Sequence, residues 1–574
     1  MRAGELENSP FIIGLTAHLD LEPAEPQLTD TVLSFLIEIE ELLPDTDVRV
    51  MFDAGNTVSL AIARAILALD IGVDGLIAAP NPEQATGSDP NPMEDLLNDP
   101  RLNWIELVTA KSGAPHGLLV PSVADFLIRR SSLLLALWDG RSSSMPNDTA
   151  DHIFRFLGVR GEPGETVHRV EVSTVVDDPD VMSQLVFWLP ARPGTNAASE
   201  GARKPCYLLS AGDNVLEVQQ SMPSSLKQRL ADLNEYNLEF ERLTAEGSLV
   251  RGESLLRNTP AEMATSDASV LRTLDRQFVK ADSLAGHMQR RSDRLFNVFG
   301  IMGFAMGLAY LIYDKITESK ILLMFYMLIL FISLLAFYFF QSKRWFGKYL
   351  SYRALAETLR VLFYLALAGV DRRIRTRELI ALTGVCKFSG FGWISFVLDS
   401  TEPTVVQADH SSAVYSHRAQ LVDRGWIEDQ YRYFVRKVAS MERRRYWVGR
   451  LKSGVFVSVV IVLSVMFMLG GALHDIDART GLPVKNVLTF CSGVLAVVLG
   501  VWELRQNKMA AQELLWQYRN QLSQFQRARI QLQRTTSRGR RDAILEELGE
   551  NSLMEIYLWA IHRYHREHAP PAAP

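Results

Sequence analysis

Four charge-free apolar stretches dominate the hydropathy pattern, and all of them lie in the C-terminal half of the chain. They run from 295 to 313, from 321 to 340, from 454 to 473 and from 486 to 502. An α-helix rises ~1.5 Å per residue and the hydrocarbon core of a bilayer is ~30 Å thick, so each stretch approaches the length that crosses a membrane. Only helices satisfy their own backbone hydrogen bonds in lipid at such lengths. The pattern therefore predicts a membrane protein with four spans.

The links within the two pairs of spans are short, which predicts two antiparallel transmembrane helical hairpins. Residues 314–320 join the first pair and residues 474–485 join the second. Lys and Arg bracket the open ends of both hairpins, at Arg290, Arg291, Arg294, Lys343, Arg344, Lys348, Arg443, Arg444, Arg445, Arg450, Lys452, Arg505 and Lys508. Because Lys and Arg concentrate on the cytoplasmic side, we expect both termini and the segment between the hairpins to be cytoplasmic.

The first part of the chain alternates short apolar runs with segments of helical periodicity. Strands are predicted at 11–15, 48–52, 74–79, 133–138 and 170–175, and helices at 29–43, 58–69, 120–130 and 149–157. Strand and helix in turn are typical of a parallel sheet covered on both faces. We therefore predict an α/β Rossmann-like N-terminal domain, followed by an all-α membrane region with long cytoplasmic helices.

Composition shifts divide the chain further. The predicted parts are the α/β domain at 1–175, a linker with cytoplasmic helices at 176–269, a first two-span module at 270–370, a cytoplasmic connector at 371–453, a second two-span module with a helical tail at 454–565, and a disordered tail at 566–574. The linker prediction rests on irregular, Pro- and Gly-containing sequence between 176 and 225. The apolar stripe of the tail, which includes Leu515 and Phe525, fits either a coiled contact between subunits or packing on residues 355–362 of the same chain.

Charge and cysteine content exclude several classes of partner. The net charge of −6 over 574 residues argues against a nucleic-acid partner, because binding a phosphate backbone usually needs a basic face. The three cysteines, Cys206, Cys386 and Cys491, show no ligand spacing, so neither a metal site nor a disulfide framework is expected. The spans contain no acidic, basic or histidine residue, which argues against a proton pump. Four spans enclose no obvious conduit, so a pore would require a homo-oligomer.

Small and polar residues follow the predicted strands, where parallel sheets bind ligands. Gly55 and Gly140 would let the backbone approach a phosphate or a ribose, and Thr16, Asn56 and Thr149 could donate hydrogen bonds. The same residues could instead turn the chain and cap helices.

These motifs resemble the SLOG superfamily, the Rossmann-like nucleotide-binding domains related to the Lonely Guy enzymes. The resemblance is carried by Gly14-Leu15-Thr16-Ala17-His18-Leu19-Asp20-Leu21, Leu137-Trp138-Asp139-Gly140 and Asn147-Asp148-Thr149-Ala150-Asp151. It implies a nucleotide or NAD-derived ligand bound by Gly14, Thr16, His18, Gly55, Asn56, Asp139, Gly140 and Thr149, with no resident cofactor or metal. His18 could equally cap the segment that follows it.

The Lonely Guy catalytic loop, with its glycines and its acid-base Glu, is not present. Aligned on Thr149, His152 stands where that Glu would fall. We therefore expect a sensor, with a nucleotide- or NAD-cleaving enzyme as the alternative.

Residues 270–565 resemble the SLATT families, two-span membrane modules associated with SLOG domains. The resemblance is carried by Tyr352-Arg353-Ala354-Leu355-Ala356-Glu357, by Trp426 and Gln430, and by Leu548-Gly549-Glu550. It implies a pore-forming or membrane-disrupting effector of the bacterial inner membrane, gated by a nucleotide and acting in antiviral defence. A non-conducting membrane scaffold is the remaining alternative.

Overall fold

The computed structural model describes most of the chain. The described residues are 8–18, 26–69, 71–78, 99, 101–109, 118–120, 122–140, 148–158, 170–171, 184–191, 204–210, 216–258, 265–370, 390–401, 412–468, 483–508 and 511–567. They divide into two compact units. The sheet unit comprises Met1–Ser283, Ala354–Val422 and Leu545–Tyr557, and the span unit comprises Leu284–Arg353, Asp423–Ile544 and Leu558–Pro574.

The sheet unit is built on ten strands. They are β1 (Phe11–Ala17), β2 (Val48–Asp53), β3 (Gly72–Ala78), β4 (Leu102–Thr109), β5 (Leu118–Val120), β6 (Leu133–Trp138), β7 (Val170–Glu171), β8 (Val186–Pro190), β9 (Cys206–Ser210) and β10 (Leu216–Gln219). Their spatial order is β5-β4-β3-β2-β1-β6-β8-β9-β10-β7. The seven strands from β5 to β8 in that order are parallel, β9 runs antiparallel to both of its neighbours, and β7 is parallel to β10. The predicted α/β class with a mostly parallel sheet is confirmed.

Among the described residues, seven α-helices lie entirely within the sheet unit. They are α1 (Pro26–Leu42), α2 (Thr57–Ile66), α3 (Val123–Arg130), α4 (Thr149–Leu157), α5 (Ser224–Ala245), α9 (Ile394–Thr401) and α10 (Ser412–Val422). Every residue of β1 and of β6 is buried. Burial at every position means that both faces of these strands are covered, which is why they read as continuous apolar runs in the sequence.

A buried polar cluster fixes the start of β1 to α5 and to the first turns of a long helix, α6 (Thr265–Lys315). Asn237 is fully buried on α5, and its Oδ1 atom accepts from the backbone N–H of Ser9 at 3.2 Å and from Lys280 Nζ at 2.6 Å. Its Nδ2 donates to Thr46 Oγ1 at 2.9 Å. The Lys280 ammonium lies 4.6 Å from the ring centre of Tyr236, a cation–π contact. Burial nevertheless lowers the pKa of Lys280 to about 7, and the charge of Glu241 offsets this effect only in part.

The long helices of the chain are α6, α7 (Lys320–Lys343), α8 (Trp345–Ala368), α11 (Asp429–Met468), α12 (Val484–Lys508), α13 (Ala511–Arg534) and α14 (Arg538–Glu567). A π-helical turn, Asp423–Glu428, precedes α11. Four of the helical segments are long and apolar enough to cross a membrane: Ser269–Lys315, Lys320–Phe339, Tyr415–Met468 and Val484–Glu503. The four predicted apolar spans are thus four helices, although residues 469–473 of the third lie outside the described residues.

Glycines bring the first and fourth apolar segments close together. A Cβ placed on Gly307 would lie 2.7 Å from Val497, and one on Gly493 would lie 2.7 Å from Leu311. Small residues at these positions therefore let α6 and α12 approach, as small residues do in membrane helix pairs.

The tail helix α13 packs on α11 of the same chain. Phe434 of α11 lies 5.7 Å from the ring centre of Phe525, and Arg529 Nε lies 2.9 Å from Glu428 Oε2 in the π-helical turn. The sequence did not identify α11 as a partner of this stripe, because an apolar stripe specifies burial without specifying its partner. A coiled contact between subunits stays a prediction.

The sheet differs from the prediction at its edges. Strands β4 and β5 were not expected, and β8, β9 and β10 lie beyond residue 175, where the sequence suggested a linker; β8 pairs directly with β6. Residues 354–368 and 545–557, assigned by sequence to the membrane modules, belong to the sheet unit. There Thr358 Oγ1 and Tyr557 Oη share a buried hydrogen bond of 2.9 Å. Residues 172–175 and 568–574 lie outside the described residues.

Candidate functional site

The strand order of the sheet reverses between β1 and β6. Strands β2 to β5 extend from β1 in one direction, and β6 and β8 extend in the other. In open parallel sheets, the crevice outside the carboxyl ends of the strands at such a reversal is where ligands bind. We call the polar side chains gathered there the switch-point site: Thr16, His18, Asp53, Asp139, Asp148 and His152.

At the end of β1, Thr16 and His18 face different partners. The Thr16 hydroxyl is buried and lies 2.8 Å from His152 Nδ1 on α4. The His18 backbone N–H donates to the carbonyl of Leu137 at 3.1 Å. Its Nε2 lies 3.7 Å from Asp139 Oδ1, and the two side chains remain 21% and 11% exposed. The segment that His18 could cap, residues 19–25, lies outside the described residues, so both roles expected for this histidine stay predictions.

At the end of β2, a turn and a helix cap are built from Asp53, Gly55 and Asn56. The Gly55 backbone N–H donates to Asp53 Oδ1 at 2.9 Å. Asn56 Oδ1 accepts from the first N–H groups of α2, those of Val58 and Ser59, at 3.0 Å each. Asn56 Nδ2 donates to the carbonyl of Ala17 at 2.6 Å. Asn56 is thus an N-cap that also ties the β2 turn to the end of β1, and its amide is used within the protein.

At the end of β6, Gly140 turns the chain in a conformation that other residues rarely adopt. Its φ is +85°, and a Cβ would lie 3.2 Å from the ring of Trp188 on β8. Trp188 is held by a hydrogen bond of 2.8 Å from its Nε1 to the carbonyl of Trp138. Glycine is therefore required at this position for its backbone and for space, whether or not a ligand binds.

The first turn of α4 closes the site. Asp148 caps the helix, since its Oδ1 accepts from the backbone N–H of Asp151 at 2.8 Å. Thr149 and His152 are buried, and the backbone N–H of His152 donates to the Asp148 carbonyl at 2.9 Å. Two polar atoms of this turn, Asp148 Oδ2 and His152 Nε2, are buried without a hydrogen-bond partner among the described residues.

The electrostatics of the switch-point site are acidic. Burial raises the pKa of Asp53, and the hydrogen bond from Gly55 and the nearby His152 only partly offset it. Burial also lowers the pKa of His152, against the opposing charges of Asp151, Asp53 and Asp148, so the imidazole is neutral near pH 7. The described residues 16–18, 53–57, 138–140 and 148–152 include four aspartates and neither Lys nor Arg.

Seven of the eight sequence-predicted site residues lie at these strand ends or at the start of α4. Gly14 does not: it lies at the centre of β1, opposite Met51 and Leu134, and a Cβ there would clash with the side chain of Ser131. Its role in the structure is close packing. Asn147 of the third motif falls outside the described residues. That the other seven bind a ligand stays a prediction.

Sequence reasoning left three members of the site off its list of ligand-binding residues. Asp53 had a signal, since it directly follows a predicted strand. His152 was noticed only as the residue in place of a glutamate, and Asp148 only as part of the third motif. Within the described part of the chain, no group of three His, Cys, Asp or Glu side chains is placed to hold a metal ion.

Comparison of the chain with protein-family models, with curated proteins and with solved structures found no match.

Proposed function

We propose that the chain is a nucleotide-gated membrane effector of the bacterial inner membrane. In this proposal the sheet unit binds a nucleotide or an NAD-derived signal at the switch-point site. Binding then shifts a homo-oligomer of the apolar helices toward a conducting or membrane-disrupting state. The defence role follows only from the resemblance of the sequence to SLOG and SLATT proteins.

One observation carries the proposal: polar side chains gathered at the strand reversal of a parallel sheet and four membrane-length helices belong to the same chain. His18 and Asp139 are partly exposed there, so a ligand can reach them. A ligand shifts an equilibrium only by binding one state better than the other. Helix α6 supplies a covalent route for such coupling, because it contains both Lys280 of the sheet unit and the first apolar segment.

The proposed arrangement of the spans is two hairpins with both termini in the cytoplasm. Contacts that support the first hairpin are Ser333 Oγ to Met302 Sδ at 3.8 Å and the rings of Tyr310 and Tyr326 at 6.3 Å. In the second, Lys452 forms an ion pair with Glu503.

Cysteine accessibility in intact cells tests this topology. In a background without the three natural cysteines, single cysteines at exposed positions Glu41 and Arg432 should be protected from an impermeant thiol reagent added outside. A cysteine at Glu318, in the short link between α6 and α7, should react. If the cysteine at Glu41 and the cysteine at Arg432 proved accessible from opposite faces of the membrane, the arrangement would be refuted.

Ion flux from liposomes tests the function. The full chain is reconstituted and flux is measured with and without nucleoside monophosphates, cyclic nucleotides, NAD and ADP-ribose. We expect ligand-dependent flux that His18→Ala and Asp139→Asn abolish, whereas Asp30→Asn, at an exposed position of α1, leaves it unchanged. Flux that is absent, or that ignores every ligand, would refute gating and leave a scaffold as the better account.

A nucleotide-cleaving enzyme is the second candidate, and one observation favours it. Asp53 has a raised pKa beside the neutral His152, and perturbed groups in a crevice are typical of acid–base sites. Turnover of NAD or nucleotides by the purified chain, abolished by Asp53→Asn, would support the enzyme over the sensor.

A further inference from the structure

Helix α4 begins with two polar atoms that lack partners, and they differ in hydrogen-bonding character. Asp148 Oδ1 is used as the helix cap, but its Oδ2 has no donor among the described residues. His152 is 8% exposed; its Nδ1 faces Thr16 Oγ1, whereas its Nε2 has no partner in the described chain. Buried polar atoms are nearly always paired in native proteins, so two unpaired atoms in one helical turn require an explanation.

The two atoms belong to residues four apart at the start of α4, and the charge of Asp148 acts on the His152 ring. Residues four apart on a helix are neighbours on one face. A carboxylate oxygen only accepts, so Asp148 Oδ2 needs a donor. The neutral His152 ring has one donor and one acceptor nitrogen. When Thr16 donates to Nδ1, Nε2 carries the proton and needs an acceptor; in the other tautomer it needs a donor.

A hydroxyl group meets these needs and a phosphate does not. A hydroxyl can donate its one proton to Asp148 Oδ2 and accept from His152 Nε2 when Nε2 carries the proton; in the other tautomer a second, neighbouring hydroxyl donates to Nε2. An ionised phosphate offers acceptors only, and it would be placed among the carboxylates of Asp53, Asp139 and Asp148. The helix N-terminus alone would favour an anion, but its Asp148 cap already supplies the negative charge.

We infer that the turn formed by Asp148 and His152 binds the ribose hydroxyls of the ligand, so that the ligand's sugar, and not its phosphate, occupies the N-terminus of α4. This inference rests on the function proposed above, and it names the part of the ligand that the site recognises. In this inference the Asp148 carboxylate accepts a hydrogen bond from a ribose hydroxyl, and His152 Nε2 donates to or accepts from the ribose hydroxyls. Thr16 fixes the orientation of the imidazole ring.

Calorimetric titration of the full chain in detergent tests the inference. The probes are the four ribonucleoside 5′-monophosphates, NAD, ADP-ribose and inorganic phosphate. For each probe that binds, the analogue without the 2′ and 3′ hydroxyls should bind at least about tenfold more weakly, because the buried partners are again left unpaired. Inorganic phosphate alone should not bind.

Two variants change the unpaired atoms and keep the rest of the turn. Asp148→Asn retains an oxygen for the helix cap but replaces the free acceptor with a donor, and asparagine caps helices as well as aspartate does. His152→Asn places an amide oxygen near Thr16 and removes the atom at the Nε2 position. Each should weaken binding by about tenfold or more with an unchanged unfolding midpoint, whereas Asp30→Asn should bind as the wild type does.

The outcomes separate the two proposals. If ribonucleotides bind and both the hydroxyl-free analogues and Asp148→Asn bind equally well, the ribose assignment is wrong while the nucleotide-binding function stands. If inorganic phosphate binds at this turn and competes with the nucleotide, the assignment is also overturned. If no probe binds the wild-type chain, the proposed nucleotide function fails, and this inference fails with it.

Discussion

Arg49 and Asp74 form a buried ion pair near the start of β2 and β3, and removing one partner should destabilise the sheet unit strongly. Arg49 Nε donates to Asp74 Oδ2 at 2.8 Å, and Nη2 donates to Oδ1 at 2.5 Å. Asn103 Nδ2 on β4 donates to the same Oδ1 at 2.9 Å. The Asp74 side chain is only 6% exposed, whereas that of Arg49 is 26% exposed. The hydrogen bonds and charge of Asp74 raise the pKa of Arg49 above its ordinary value, against the effect of burial.

Arg49→Met would leave the Asp74 carboxylate buried with one hydrogen bond, from Asn103. Breaking a buried pair from one side costs about 3–5 kcal/mol, and partial exposure of Arg49 places the expected loss at the lower end, about 3 kcal/mol. Asp74→Asn removes the charge at nearly constant volume and should cost less, since the Arg49 head can turn toward water. In the double variant no unpaired charge remains. The free energy of unfolding that it loses should therefore be about 2 kcal/mol smaller than the sum of the losses in the two single variants.

Equilibrium urea unfolding of the full chain in detergent, followed by the fluorescence of the sheet tryptophans, measures these free energies. The matched control is the exposed pair Arg242 and Glu246 on α5, whose side chains are each 52% exposed. Its double-mutant cycle should give a coupling energy below about 0.5 kcal/mol. If the two double-mutant cycles gave equal coupling energies, burial of Asp74 would not be what sets the coupling energy of the Arg49–Asp74 pair.

Three further changes have expected outcomes. Gly140→Ala should lower the stability of the sheet unit by about 1–2 kcal/mol in urea unfolding, because alanine is strained at φ +85° and its Cβ meets Trp188. Gly307→Val should lower the thermal midpoint in detergent, with a cost of about 1–3 kcal/mol, because a Cβ would lie 2.7 Å from Val497. Asp53→Asn should stabilise the chain relative to wild type above the raised pKa of Asp53 and lose that advantage at lower pH. The sign follows because a carboxyl with a raised folded-state pKa loses stability as pH rises through the interval between its unfolded and folded pKa values.

Matched controls isolate each cause. Gly158 also has a positive φ, +69°, but a Cβ there meets nothing within 4 Å, so Gly158→Ala measures backbone strain without the clash. Gly449 on α11 likewise has open space, and Gly449→Val should leave the thermal midpoint nearly unchanged. A pH-independent difference between Asp53→Asn and wild type would contradict the burial of an ionised Asp53.

The strands that the sequence predicted best are those with a continuous apolar run. Both β1 and β6 are buried at every position, so their composition alone indicated them. Strand β4 was missed because Asn103 and Glu106 interrupt its apolar pattern; both side chains are exposed. Strand β8 carried a readable signal, Val186-Phe187-Trp188-Leu189, but the prolines that follow favoured a linker. Turn residues mark where a strand ends without deciding whether the sheet continues beyond them.

The candidate site shows a different limit of sequence reasoning. A polar residue after a strand could be placed at the right edge of the sheet, because the carboxyl ends of parallel strands share that edge. The sequence could not show which atoms of that residue remain available to a ligand. Asn56 looked like a ligand donor, yet its side-chain amide caps α2 and donates to Ala17, while Asp148 was not expected to contact a ligand and has one oxygen without a partner among the described residues. Availability depends on partners that are distant in sequence, such as Thr16 and His152, which are 136 positions apart.

The two ends of the same strands therefore lead to opposite expectations for substitutions. Arg49 and Asp74 lie near the amino ends of β2 and β3, where their charges are satisfied within the fold. The switch-point site lies at the carboxyl ends, where Asp148 Oδ2 and His152 Nε2 have no hydrogen-bond partner in the described part of the chain. Arg49→Met should lower stability and leave nucleotide affinity unchanged below the unfolding transition, and Asp148→Asn should do the reverse. If each variant lowered both the stability and the nucleotide affinity, the unpaired atoms would contribute to folding. The proposal that the switch-point site binds a ligand would then be refuted.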